Sequence, residues 1–155
     1  KTTIFNALTG LRQHTGNWPG KTVEKKEGEI ELEGRTINIV DLPGTYSLTA
    51  YSPEEIIARD FIIEQHPDVV INVVDATNLE RNLYLTVQIL ELDVPVVLAL
   101  NMTDDLHRDG SRINVDLLSQ LLGDIPVVQT AANKGKGIFA LINKAIRAAG
   151  QKSSH

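Results

Sequence analysis

The sequence predicts a three-layer α/β fold, a mostly parallel sheet covered by helices on both faces. Three observations carry this. From residue 68 onward, short β-rich runs alternate with helical stretches, the signature of parallel strands joined by crossover helices. The runs "DVVINVVDA" (68–76), "PVVLALN" (95–101) and "IPVVQTAA" (125–132) are almost wholly apolar, as strands buried on both faces must be. The stretch "EIELEGRTINIVDL" (29–42) instead alternates apolar and polar residues around Glu33-Gly34, a hairpin signal that adds one antiparallel strand.

The elements follow in order. "KTTIFNALTG" (1–10) sets Ile4, Phe5 and Leu8 on one side and ends on glycine, so it reads as a helix. "LRQHTGNWPGKT" (11–22) reads as a loop, and the hairpin follows. "SPEEIIARDFIIEQH" (52–66) opens with Ser52, Pro53 and Glu55, a capping box with proline at the first helical position. After the strand at 68–76, "NLERNLYLTVQILEL" (78–92) is helical, with Leu83, Leu85 and Ile89 facing the core. "NVDLLSQLLG" (114–123) is a helix stopped by glycine. The strand at 125–132 and a closing helix at 137–150 complete the domain, and residues 151–155 read as a frayed tail.

Composition narrows the function. The 155 residues suit one domain, 1–150, with a real core. A net charge of −5 argues against a surface that coats nucleic acid. With no cysteine, disulfides and thiolate metal sites are excluded. His14, His66, His107 and His155 stand apart, without metal-ligand spacing. No apolar run reaches the ~18 residues of a membrane span, and no signal peptide is read.

In such folds ligands bind beyond the carboxyl ends of the strands, where Asp41, Asn101 and Thr130 fall. "DLPG" (41–44) fits D-x-x-G. Asp41 would hold Mg²⁺ through a water, and the Gly44 amide would reach a γ-phosphate; turn chemistry alone is the plain alternative. "NMTD" (101–104) sets Asn101 for the N7/O6 edge of guanine and Asp104 for its N1–H and exocyclic amine, a donor pair that adenine lacks; an Asx turn is the alternative. "QTAA" (129–132) puts small residues after Thr130, so that the backbone N–H of Ala131 or Ala132 could meet guanine O6. "KTT" before an amphipathic helix matches the end of a phosphate loop, with Lys1 on the β- and γ-phosphates and the Thr2 hydroxyl on Mg²⁺, and Thr3 beside them. Thr22, in the long loop, would close on the γ-phosphate and Mg²⁺. Each motif is weak alone. Their order and spacing, with Asp41 40 residues after Lys1, Asn101 60 further on and Thr130 another 29, point jointly to a P-loop GTPase (Ras-like) fold with a GTP/GDP site.

"TGNWPGKTVEKKEGEIELEG" (15–34), "DLPGTYSLTAYSPEEIIARDFI" (41–62) and "VVDATNLERNLYLTVQILEL" (73–92) closely resemble the N-terminal GTP-binding domain of the ferrous iron transport protein B family. "GNWPG", "DLPGTYSLTA" and Met102 within "NMTD" separate it from Ras-like and translational GTPases. The resemblance implies a domain on the cytoplasmic face of the inner membrane, soluble when isolated and without direct lipid contact. It would precede a helical domain and a membrane region that moves Fe²⁺, with slow GTP hydrolysis regulating or driving uptake. It also implies K⁺ acceleration in some members, through an asparagine of the phosphate loop.

In this fold a strand and the phosphate-loop glycines precede the lysine. That strand lies between the strands at 36–41 and 68–75, so the natural protein is expected to continue upstream of Lys1. Lys1 and Thr22 are the expected catalytic contacts. Two other functions compete. One is a GTP/GDP-binding regulatory module whose hydrolysis is incidental. The other is an RNA- or ribosome-associated GTPase, against which the acidic balance argues. Trp18 could touch a partner or pack on its own domain; Lys25 and Lys26 read as solvated strand-edge charges.

Overall fold

The computed structural model describes residues 2–10, 13–32, 34–45, 47–48, 52–76, 79–101, 114–131, 135 and 137–153, with the backbone alone at 2–3 and 150–153. The chain divides into two compact units, residues 1–65 and residues 66–155. The six described strands form two three-stranded sheets, one in each unit. The fold is mixed α/β, one sheet antiparallel and the other parallel.

The first unit begins with helix α1 (Thr2–Thr9). Ile4 and Phe5 are buried, and the buried Thr9 hydroxyl donates to the Phe5 carbonyl at 2.9 Å. Strands β1 (Gln13–Asn17), β2 (Glu24–Leu32) and β3 (Arg35–Asp41) follow as an antiparallel meander in that order. The expected hairpin forms about Gly34, whose φ of +78° suits the tight reversal. It is longer than expected, because β2 starts at Glu24.

One expectation is corrected here. Residues 13–17 lie in the stretch read as a loop, yet they form β1, paired from Gln13↔Gly28 to Asn17↔Glu24. Four of the five are exposed, so no hydrophobic alternation marks them. Backbone bonding to an available edge of β2 makes this strand, and local propensity does not report such pairing.

Helix α2 (Pro53–Gln65) starts as its capping box dictates. Ser52 Oγ accepts from the Glu55 N–H at 3.2 Å, and Ile57, Ala58 and Ile62 are buried.

The second unit is built on β4 (Val70–Asp75), β5 (Val96–Asn101) and β6 (Val127–Thr130), parallel with β5 central. Val96–Leu100 are all buried, as the apolar run requires. One face of the sheet packs Val74, Leu98 and Leu100 with Ala76 and Leu118. Around them lie Leu79 and Leu83 of α3 (Leu79–Leu90) and Val115 of α4 (Val115–Leu121). Of the α3 core expectation, Ile89 is buried and Leu83 joins this cluster. A buried Thr86–Asn72 hydrogen bond ties α3 to β4.

Helix α5 (Ile138–Ser153) closes the chain and buries Leu141, Ile142, Ala145 and Ala148 along one stripe. It continues through Ser153, so residues 151–153 are helical where a frayed tail was expected. A glycine inside a helix, here Gly150, costs only ~1 kcal/mol and need not end it. No helix among the described residues is long and apolar enough to cross a membrane.

Candidate functional site

The phosphate-side candidates belong to the first unit. Thr2 and Thr3 open α1, while Lys1 lies outside the described residues. Asp41 is the last residue of β3, half-buried, with Lys26 its partner across the ladder. Gly44 follows three residues on and is exposed. A Cβ there would meet nothing within 4 Å, and its backbone is not left-handed. Neither packing nor a left-handed backbone demands glycine at 44. The loop after it is anchored to α2: Ser47 Oγ donates to Glu55 Oε2 at 3.1 Å, and Leu48 is buried.

Thr22 is exposed in a turn spanning 18–23. The Trp18 N–H donates to the Val23 carbonyl at 3.0 Å, and the Lys21 N–H to the Trp18 carbonyl at 2.9 Å. Because Lys26 faces Asp41, Thr22 lies four residues beyond that rung, at the end of the sheet where β3 stops. At ~3.3 Å per residue this is up to ~13 Å along the strand. The two residues therefore share an end of the sheet without being joined.

Trp18 resolves toward its own unit. It is buried and meets Phe61 edge to face, with ring centroids 5.8 Å apart at 78°. Lys25 Nζ sits 4.8 Å from the Trp18 ring centroid and 2.9 Å from Glu27 Oε1. Lys25 is thus a packed cation–π partner instead of a solvated edge charge. The indole Nε1 is buried without a hydrogen-bond partner. Beside this cluster is a groove of about 400 Å³ between Trp18, Lys21 and the α2 residues Ile57, Asp60, Phe61 and Glu64. None of the described sequence-predicted site residues lines it.

The base-side candidates belong to the second unit. The parallel register sets Asp75, Asn101 and Thr130 on one rung at the carboxyl ends of β4, β5 and β6. Side chains on one rung of a parallel sheet share a face. Thr130 is 2% exposed, and its Oγ1 donates to Asn101 Oδ1 at 3.4 Å. This contact engages the amide oxygen of Asn101. Ala131 follows directly, half-buried. Met102, Asp104 and Ala132 lie outside the described residues.

Sequence reasoning missed Asp75. The available signal was the one that singled out Asp41, an apolar run ending on a carboxylate: "VVD" at 73–75 repeats "IVD" at 39–41. It also missed the Ser47–Glu55 tie and Phe61 as the partner of Trp18.

The comparisons with known proteins agree with one another. A family model described as "Ferrous iron transport protein B" matches residues 1–145. The Fe(2+) transporter FeoB of Salmonella typhimurium is 53% identical over 145 residues, which are 91% of this chain and 19% of the relative. The chain therefore spans about a fifth of the length of such relatives. The cytosolic domain of the T. maritima FeoB iron transporter is similar in structure. Its GMPPNP form superposes with a TM-score of 0.90 at 47% identity over 96% of this chain and 58% of that one. Its GDP form I gives a TM-score of 0.89. The FeoB G-domain from Methanococcus jannaschii gives 0.83 at 50% identity, covering 96% of this chain and 89% of that one.

Proposed function

Because the chain belongs to the ferrous iron transport protein B family, we propose that it is a GTP-binding, slowly GTP-hydrolysing switch domain of a ferrous iron uptake transporter. One observation carries the reading. The strand ends of the parallel sheet bring Asn101 and Thr130 together on one rung, with the Asn101 amide oriented by the Thr130 hydroxyl. That arrangement supports a base seated beyond these strand ends, with the guanine choice assigned to Asp104. The GDP and GMPPNP forms of the T. maritima relative support it.

In this reading residues 1–150 are the GTP-binding domain. Asn101, Thr130 and the Ala131 and Ala132 amides surround the base, Asp104 accepts from N1–H and the exocyclic amine, and Met102 packs nearby. Lys1 and the Gly44 amide hold the β- and γ-phosphates, with Thr3 beside them. Thr2, Thr22 and, through a water, Asp41 form an all-oxygen donor set that suits Mg²⁺. Asp41 ends β3 and Thr22 is exposed toward the same end of that sheet, which supports such a set without joining the two residues. The ion would neutralise charge on the phosphates. Lys1 and the Gly44 amide would stabilise charge developing at the γ-phosphoryl group.

The domain would work at the cytoplasmic face of the membrane. Its partners there would be the helical and membrane regions of the full-length transporter, with K⁺ as a further activator. A regulatory module with incidental turnover is the second reading. Thr45 favours it, because Ras-like enzymes carry a water-orienting glutamine at that position. Equilibrium binding of GDP against ADP tests base choice. Multiple-turnover phosphate release, with and without K⁺, then separates enzyme from module. Equal affinity for GDP and ADP would refute the whole assignment.

A further inference from the structure

We propose that Gly137 is a positioning residue for the base-reading end of β6. Its missing side chain sets where the backbone of residues 129–131 lies. The proposal rests on the guanine-nucleotide reading above and adds a residue that no motif contains.

Gly137 directly precedes α5, and its carbonyl accepts the Leu141 N–H at 2.9 Å, starting the helix. Its φ is +80°. A Cβ at this position would lie 2.3 Å from the Gln129 carbonyl oxygen, 3.0 Å from Thr130 Cα and 3.2 Å from Thr130 Cγ2. Two of these three are backbone atoms, so no rotamer change can relieve the clash. Either α5 or the end of β6 must move. The helix is held by Leu141, which is fully buried, and by Ile142 and Ala145. β6 has only four residues and, among the described residues, pairs with one neighbour, β5. The end of β6 therefore yields. Thr130 goes with it, and with Thr130 its hydrogen bond to Asn101 Oδ1. The Ala131 N–H, one residue on, turns away from the position of guanine O6.

Gly135 supplies the matched control. Its φ is +68°, so alanine there imposes comparable backbone strain, but a Cβ would meet nothing within 4 Å. The two substitutions differ in whether they press on β6.

The experiment measures dissociation constants for GDP, 6-thio-GDP and IDP with the whole chain. It compares the parent protein with Gly137→Ala and Gly135→Ala, each first checked for a cooperative thermal transition. Gly137→Ala should weaken GDP by about tenfold or more, the scale of a lost hydrogen bond to the base. Gly135→Ala should stay within about threefold. The 6-thio-GDP to GDP ratio reports the O6 contact and should fall toward one in Gly137→Ala. The IDP to GDP ratio reports the 2-amino contact and should hold. A purely structural loosening would move both ratios together, and that result overturns the proposal, as does equal behaviour of the two alanine variants. If Gly137→Ala does not fold, Thr130→Val reads the same relay from its other end. It keeps the volume but removes the donor to Asn101, so it should lower the 6-thio-GDP ratio, and an unchanged ratio overturns the proposal. A parent protein that binds ADP as well as GDP would instead refute the guanine reading, before any variant is compared.

Discussion

Strands β1 and β5 are held by opposite means. In β5, Val97 to Leu100 have no exposed surface, and helices α3 to α5 pack around its sheet. In β1, four of five residues are exposed, and backbone pairing with β2 defines the strand. A strand held by apolar burial opens only when its unit unfolds, whereas an edge strand held by backbone bonds opens locally at small cost. The difference fits the proposed division of labour. A base pocket must keep one geometry in every nucleotide state, and it would stand on the buried parallel sheet. A phosphate sensor must change geometry with the γ-phosphate, and Thr22 lies in the turn that leaves the exposed edge.

The largest expected effect tests the rigid half. Leu100→Ala should cost about 2–5 kcal/mol in urea unfolding, because it opens a cavity in a packed cluster. Thr15→Ala on β1 should stay within about 0.5 kcal/mol, as exposed substitutions do. Comparable losses at the two sites would remove the contrast between the sheets.

Next comes base choice. Asp104→Asn should lose GDP and GTP affinity by about 2–4 kcal/mol, since a charged contact to buried donors is truncated. It should gain xanthine nucleotide, whose O2 accepts where guanine donates. Titration with GDP and XDP checks this, and unchanged GDP affinity would remove Asp104 from the base pocket.

The exposed edge follows. Thr22→Ala should slow single-turnover hydrolysis by roughly ten- to a hundredfold, toward the low end of a catalytic group's contribution. GDP affinity should hardly change. Hydrogen exchange over residues 14–24 should be slower with a triphosphate analogue than with GDP. Equal protection in the two states would show that this edge is not a switch.

How far these features were legible depends on what forms them. The parallel strands could be read because burial on both faces leaves a continuous apolar run. The start of α2 could be read because Ser52, Pro53 and Glu55 act within one turn. Strand β1 could not, since "QHTGN" has no hydrophobic period and its pairing is tertiary. The packing of Trp18 stayed open because its partner, Phe61, lies 43 residues away, and nothing local names it. In the site, Asp41, Asn101 and Thr130 were legible as strand ends. Asp75 ends an apolar run in the same way but passed unread, because no glycine follows it to complete a motif; the register then aligns it with Asn101.

The smallest expected effect lies in the loop that joins β3 to α2. Ser47 and Glu55 tie this loop to the helix, so its backbone is positioned by protein contacts at both ends. In the proposed reading, the backbone of Gly44 would be the group this loop offers to the γ-phosphate. Thr45 is half-buried, and its side chain is too short to reach across that phosphate to a water. Thr45→Ala should therefore change single-turnover hydrolysis by less than about tenfold, against the 10²–10⁴-fold typical of a catalytic acid–base group. The intrinsic rate should be low, below about 10⁻¹ s⁻¹, since a Ras-like enzyme that has its glutamine but no arginine finger reaches only ~10⁻⁴–10⁻³ s⁻¹. A hundredfold loss in Thr45→Ala, with GTP affinity intact, would make Thr45 catalytic. The first unit would then carry a reacting side chain on the loop after β3, and the contrast between a rigid reader and a backbone-only sensor would fail there.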